Sequence, residues 1–192
     1  MIAAISDRIY KITNIYSVAA LTALFFWFIF FFLDPTVERI VGTGSFVVLP
    51  FFEYLIYTPD DFYTQLAGYG EAGRAAFADY RTVNSTLWLI TMGAFLVLLA
   101  GILLRYSIPQ GNWQRRLHLV AILPSLFDFL ENQLQIVLVA FYPDRFDGLA
   151  ALAAFLTVAK WLTLMLTYLI ICYAAIRGLV VLFLEKKGFE KV

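Results

Sequence analysis

The chain has 192 residues, of which 62% are hydrophobic and 18% aromatic, with 14 basic against 14 acidic residues and a mean hydropathy of +0.81. Only 15% are charged, against about 25% in soluble domains, and one soluble core of this size cannot hide so much apolar surface. Zero net charge without a basic tract excludes nucleic acid as a partner, and the single cysteine, Cys172, excludes an intrachain disulfide and reads as a buried, inert thiol.

Four stretches reach the length of about 20 mainly apolar residues that a helix needs to cross hydrocarbon. They cover about 15–33, 86–104, 117–142 and 149–176. The expected fold is therefore all-α: an integral membrane four-helix bundle, one membrane domain over 1–192, with the lipid bilayer as its first partner. The run Ile15–Leu33 exceeds the roughly 7–15 residues of a secretory signal core and has no small-x-small cleavage site after it, so it reads as an uncleaved first span.

Residues 34–85 form the only sizeable connection, an outer loop with structure of its own. Its first part, from Ile40, is apolar but broken by Gly42, Gly44 and Pro50, which favours a strand or an interfacial segment over a fifth span. Thr58-Pro59-Asp60-Asp61 then reads as a helix start: a capping hydroxyl, a proline at the first helical position, and acids at the positive helix end. That helix is expected to reach Gln65 or Leu66, with Gly68 and Gly70 interrupting it and Glu71–Tyr80 forming another. Tyr54, Tyr57, Phe62, Tyr63, Tyr69, Phe77 and Tyr80 make the loop aromatic and are expected to rest it on the outer headgroups, or to form a protein contact surface. Arg74 is a candidate headgroup contact, set against a plain solvated or ion-paired arginine.

The second span ends at Arg105. In the third, Pro124 is expected to free the carbonyl of Val120 and kink the helix. The fourth run stays apolar from Gly148 to Leu184, about 55 Å of helix against a core of about 30 Å, so Arg177-Gly178 marks where it leaves the membrane. Leu179–Leu184 would lie in the interface or extend as a helix against a partner.

With both termini inside, the inner side holds Arg8, Lys11, Arg105, Arg115, Arg116, Arg177, Lys186, Lys187 and Lys191; the outer side holds Arg39, Arg74, Arg81 and Arg145. The excess of basic residues inside selects N-in, C-in, in a bacterial inner membrane or a plasma membrane.

The third span carries the chain's one chemical constellation. Ser125, Asp128, Glu131, Asn132 and Gln135 follow helical spacing and share one face. A carboxylate at bilayer depth costs at least about 2.5–3.5 kcal/mol, so this stripe faces protein or a polar cavity. In an antiparallel hairpin turning near residues 145–146, Lys160 lies level with Glu131, and Thr163 level with Asp128; Lys160, Thr163 and Thr167 share a face. The expectation is an intramembrane ion pair from Lys160 to Glu131 or Asp128, with one excess carboxyl left over. The candidate polar site is thus Asp128, Glu131, Asn132, Gln135, Lys160 and Thr163. It serves either as glue between helices or as a binding site for a cation, a proton or a polar headgroup.

His118 reads as an interfacial residue. No Glu-x-x-His motif, Ser/His/Asp set, Cys-x-x-Cys pair, phosphate loop or dinucleotide glycine pattern is present, so no catalytic, cofactor or metal residues are expected.

The long first loop and short second one look claudin-like, but the claudin signature of Trp, Gly-Leu-Trp and two cysteines is absent. The elements Gly70-Glu-Ala-Gly73-Arg74 and Asp128-Phe-Leu-Glu131-Asn132 resemble those of uncharacterised bacterial four-span membrane proteins. That resemblance implies a fold and no activity. The expected function is a small non-enzymatic accessory or scaffold subunit, working with another membrane protein or a larger membrane complex, or a binder of a lipid-like molecule. The alternatives are a small proton- or cation-coupled transporter or channel-like protein, and a lipid-modifying membrane enzyme.

Overall fold

The computed structural model describes residues 2–33 and 55–187. Among the described residues all regular structure is helical. Three helical stretches are long and apolar enough to cross a membrane, and a fourth if one sharply bent pair counts as a single span.

That bent pair opens the chain. The first helix, α1 (Ile2–Ile12), was not anticipated from the sequence. It ends at Thr13-Asn14, where Asn14 starts α2 (Ile15–Phe28) with a capping box: the Asn14 Oδ1 accepts from the Tyr16 and Ser17 N–H groups, and Ser17 Oγ accepts from the Asn14 N–H. The chain turns by 85° there. A wide π-helical turn, Ile29–Leu33, extends α2. The expected strand or interfacial segment at 40–57 lies almost wholly outside the described residues.

Next comes α3 (Pro59–Asp79), started as its sequence indicates. The Thr58 hydroxyl accepts from the Asp61 N–H at 3.2 Å, and the Asp61 carboxylate accepts from the Thr58 N–H at 2.8 Å and its O–H at 2.7 Å. Those two donors hold the Asp61 carboxyl below its ordinary value. The helix does not stop at Leu66. It runs through Gly68 and breaks only at Gly70, whose φ of 65° and ψ of −178° suit glycine alone. A glycine inside a helix is tolerated at about 1 kcal/mol, which is why Gly68 fails to end it. Through a second π-helical turn (Tyr80–Asn84) the chain continues into α4 (Ser85–Ser107).

A 3-10 segment, Trp113–Ile122, capped by Asn112, leads into α5 (Leu123–Ala140). This corrects the reading of Pro124. The Val120 carbonyl is not freed, because 3-10 bonding lets the Leu123 N–H donate to it, and the proline sits in the first turn of α5, where no donor is needed. After a short turn, α6 (Asp147–Lys186) runs 40 residues, about 60 Å, without breaking at Arg177-Gly178.

The helices α5 and α6 form the most extensive pair, an antiparallel hairpin. A seam on α6 at Ala150, Ala153, Thr157, Leu164, Thr167 and Ala174 is buried, while Leu162, Met165, Leu169 and Ile176 stay exposed. Cys172 is exposed too, against the expectation of a buried thiol: an apolar run in this chain marks a face directed outward as often as a packed one. Against the α5–α6 pair packs α4, brought close where Gly93 meets Ser125, and α2 packs on α4 through Val18, Leu98 and Ile102.

The position of α3 is the main departure from expectation. Its aromatic residues Phe62, Tyr63, Tyr69 and Phe77, with Tyr57, are buried against Leu138, Ala150 and Ala154 near the hairpin turn. They cover protein rather than headgroups, because the small alanines of α6 leave room for large rings.

Candidate functional site

Beneath α3 lies the polar stripe of α5. Asp128, Glu131, Asn132 and Gln135 are all buried on its inner face. Lys160 of α6 reaches across, donating from Nζ to Glu131 at 2.7 Å and to Asp128 at 3.1 Å. Its side chain is 13% exposed, that of Asp128 10% and that of Glu131 3%. Both ion pairs foreseen from hairpin register are therefore present together. Equal distance from the turn sets equal depth, and helical spacing puts both carboxylates on the face that meets α6.

The network extends along α5. Gln135 donates from Nε2 to Glu131 Oε1 at 3.0 Å and to the Tyr57 hydroxyl at 3.2 Å. The same hydroxyl bonds Thr157 of α6, so Tyr57, just before α3, touches both helices of the hairpin. Arg81, in the turn between α3 and α4, donates from Nη1 to Asn132 Oδ1 at 2.8 Å and lies over the Phe77 ring at 5.1 Å.

Three of these contributors escaped the sequence reading. Arg81 was counted with the outer loop, whereas it is partly buried beside Asn132. Its bond goes to the neutral Asn132 amide, so Lys160 is the cation that pairs with both carboxylates among the described residues. Tyr57 and Thr157 were missed as well. The one available signal for Arg81 was its place only five residues before the apolar run at Thr86. Thr163, by contrast, does not join the carboxylates: its hydroxyl donates back to the Ala159 and Lys160 carbonyls of its own helix, and Thr167 does likewise to Thr163.

Arg74, the candidate headgroup contact, is half-buried. Its Nη1 donates to the Leu66 carbonyl at 3.2 Å, bridging the Gly70 break, and its guanidinium lies 4.3 Å over the Tyr142 ring. At the turn, Arg145 pairs with Asp60 at 2.5 Å and Asp147 at 3.0 Å, which ties the start of α3 to the start of α6 and holds the Arg145 guanidinium above its ordinary value. The Phe146 N–H donates to the Tyr63 hydroxyl at 2.7 Å.

His118 is fully buried, its Nδ1 2.6 Å from the Arg115 carbonyl and its ring 4.7 Å from that of Tyr10. The unforeseen α1 covers it. Among the described residues, no group of three or more His, Cys, Asp or Glu side chains is placed to hold a metal ion.

Three buried polar atoms within or beside this network have no protein partner: Arg81 Nε, Asn132 Nδ2 and Gln135 Oε1. Two sit on the bonded pair Arg81–Asn132 and one on Gln135, which bonds Glu131. Such atoms are costly in a dry interior.

No family model, curated protein or solved structure matches the chain.

Proposed function

We propose that this is a non-enzymatic integral membrane protein of about four spans, acting as an accessory or scaffold subunit of a membrane assembly or as a binder of a lipid-like molecule. The observation that carries the proposal is the buried bridge of Lys160 to two carboxylates. Lys160 of α6 spans Asp128 and Glu131 of α5, and Arg81 from a third element bonds Asn132 beside them. Such a bridge holds helices together, and Lys160 already occupies an oxygen of each carboxylate that a cation would need. The exposed apolar faces of α2 and α6 fit hydrocarbon or the helices of another membrane protein. The nine-to-four bias of basic residues supports N-in, C-in, and moving Arg81 out of the loop makes it nine to three.

A second reading has its own support. The unpartnered atoms on Arg81, Asn132 and Gln135 suit water or a polar guest, as a proton- or cation-coupled transporter requires. Reconstitution in proteoliposomes separates the two. The scaffold reading expects no proton or cation flux above empty vesicles, and co-purification with a defined membrane partner that survives Asp128→Asn. The transporter reading expects flux that Asp128→Asn abolishes while the protein remains folded.

A further inference from the structure

At the opposite end from the hairpin turn, α1 lies against the end of α4 and the start of the 3-10 segment, and a pocket of about 560 Å³ opens between them. Four cations line it: Lys11, Arg105, Arg115 and Arg116. One carboxylate, Asp7, joins them, and none of the four has a carboxylate partner among the described residues.

The walls are fixed by backbone contacts. Arg105 donates to the Thr13 carbonyl at 2.9 Å, and Arg115 to the Ile108 and Arg105 carbonyls, each at 2.9 Å. The Tyr10 hydroxyl donates to the Arg115 carbonyl at 2.6 Å. These bonds hold two guanidinium groups in place without neutralising them. Lys11 and Arg116 are exposed and make no hydrogen bond or ion pair among the described residues, which leaves their charge for a guest.

We propose that this pocket binds a phosphate group of net negative charge. Guanidinium groups held by backbone carbonyls beside exposed cations suit phosphate oxygens, which accept several charge-assisted bonds at once. The other side of α1 borders an apolar groove of about 400 Å³ through Ile9 and Ile12, so the pocket adjoins an apolar surface. Within the membrane reading above, on which this inference rests, α1 lies at the headgroup level and the phosphate comes from an anionic phospholipid. A soluble phosphate is the other source of the same chemistry.

The test uses the full chain. Protein purified from membranes is exchanged into vesicles of phosphatidylglycerol or of phosphatidylcholine, gently resolubilised, and its retained lipid counted by mass spectrometry. The wild type should retain phosphatidylglycerol about 10-fold over phosphatidylcholine, whose choline cation the pocket repels, and Lys11→Gln with Arg116→Gln should erase most of that preference. Thermal unfolding should be unchanged in the double variant, and the two single variants stand in should the pair fail to fold. Inorganic phosphate that displaces the lipid shows the pocket taking phosphate from either source; loss of lipid in the variants without such displacement assigns the lipid. Equal retention of both lipids by the wild type, or a preference untouched by the double variant, would overturn the site. Release of the protein by alkaline carbonate would instead sink the membrane reading, and calorimetry with inorganic phosphate would then still decide the pocket.

Discussion

The middle of the α5–α6 hairpin and the α1 end of the bundle treat charge in opposite ways. Midway along the hairpin, Asp128, Glu131, Lys160 and Arg81 are drawn inside, where opposite charges and amides answer one another. At the α1 end, Arg105 and Arg115 spend their hydrogens on backbone carbonyls, while Lys11 and Arg116 go unanswered. The difference follows from desolvation. A charge taken out of water must be neutralised where it lies, whereas one at a surface can wait for a guest.

Removing the bridging cation should break the buried middle most severely. Lys160→Met leaves two carboxylates facing each other without an ammonium, a loss of about 3–5 kcal/mol, read as a large drop in thermal stability in mild detergent. Arg81→Gln comes next. It strips Asn132 of its charged donor and loosens α3 from α5, for about 1–3 kcal/mol, with faster protease cleavage in 59–79 as the readout. A loss of the same order, about 1–3 kcal/mol, is expected for Gly70→Ala, and it isolates backbone strain, since no atom lies within 4 Å of the added methyl group. If the substitution is silent in chemical denaturation, the break at Gly70 does not position the aromatic cover.

The smallest effect concerns the exposed start of α3. The Asp61 carboxyl sits below its ordinary value of 3.8 in the folded chain because Thr58 donates to it. Its contribution is therefore present above that value and fades as pH falls through the lower folded one. Amide exchange at Asp61 should quicken only below that pH, and Thr58→Ala should remove the dependence. Exchange that changes near neutral pH would point to another group.

The contrast between the two regions was only partly legible in the sequence. The meeting of Lys160 with Glu131 and Asp128 could be read because two simple periodicities, helix face and hairpin depth, place them without further knowledge. The answering Arg81 could not, because its place depends on α3 folding back over the hairpin, and the residues that direct this (Tyr57, Phe62, Tyr63, Phe77) look in sequence like a membrane-surface belt. Aromatic composition cannot tell rings that cover alanines from rings that meet headgroups. Likewise Pro124 looked like a kink, since a sequence reads a proline against an α-helix while the preceding turn is 3-10. The basic pocket stayed hidden with α1, a helix that the apolar-run reading of the sequence did not mark.

On the scaffold reading, the buried carboxylates and Lys160 serve to neutralise one another. The most direct measurement compares the unfolding of Lys160→Met with that of the triple variant Lys160→Met, Asp128→Asn, Glu131→Gln. If the claim holds, removing all three charges restores most of the stability that removing one destroys. A triple variant as unstable as the single one, or a single variant as stable as the wild type, would contradict it.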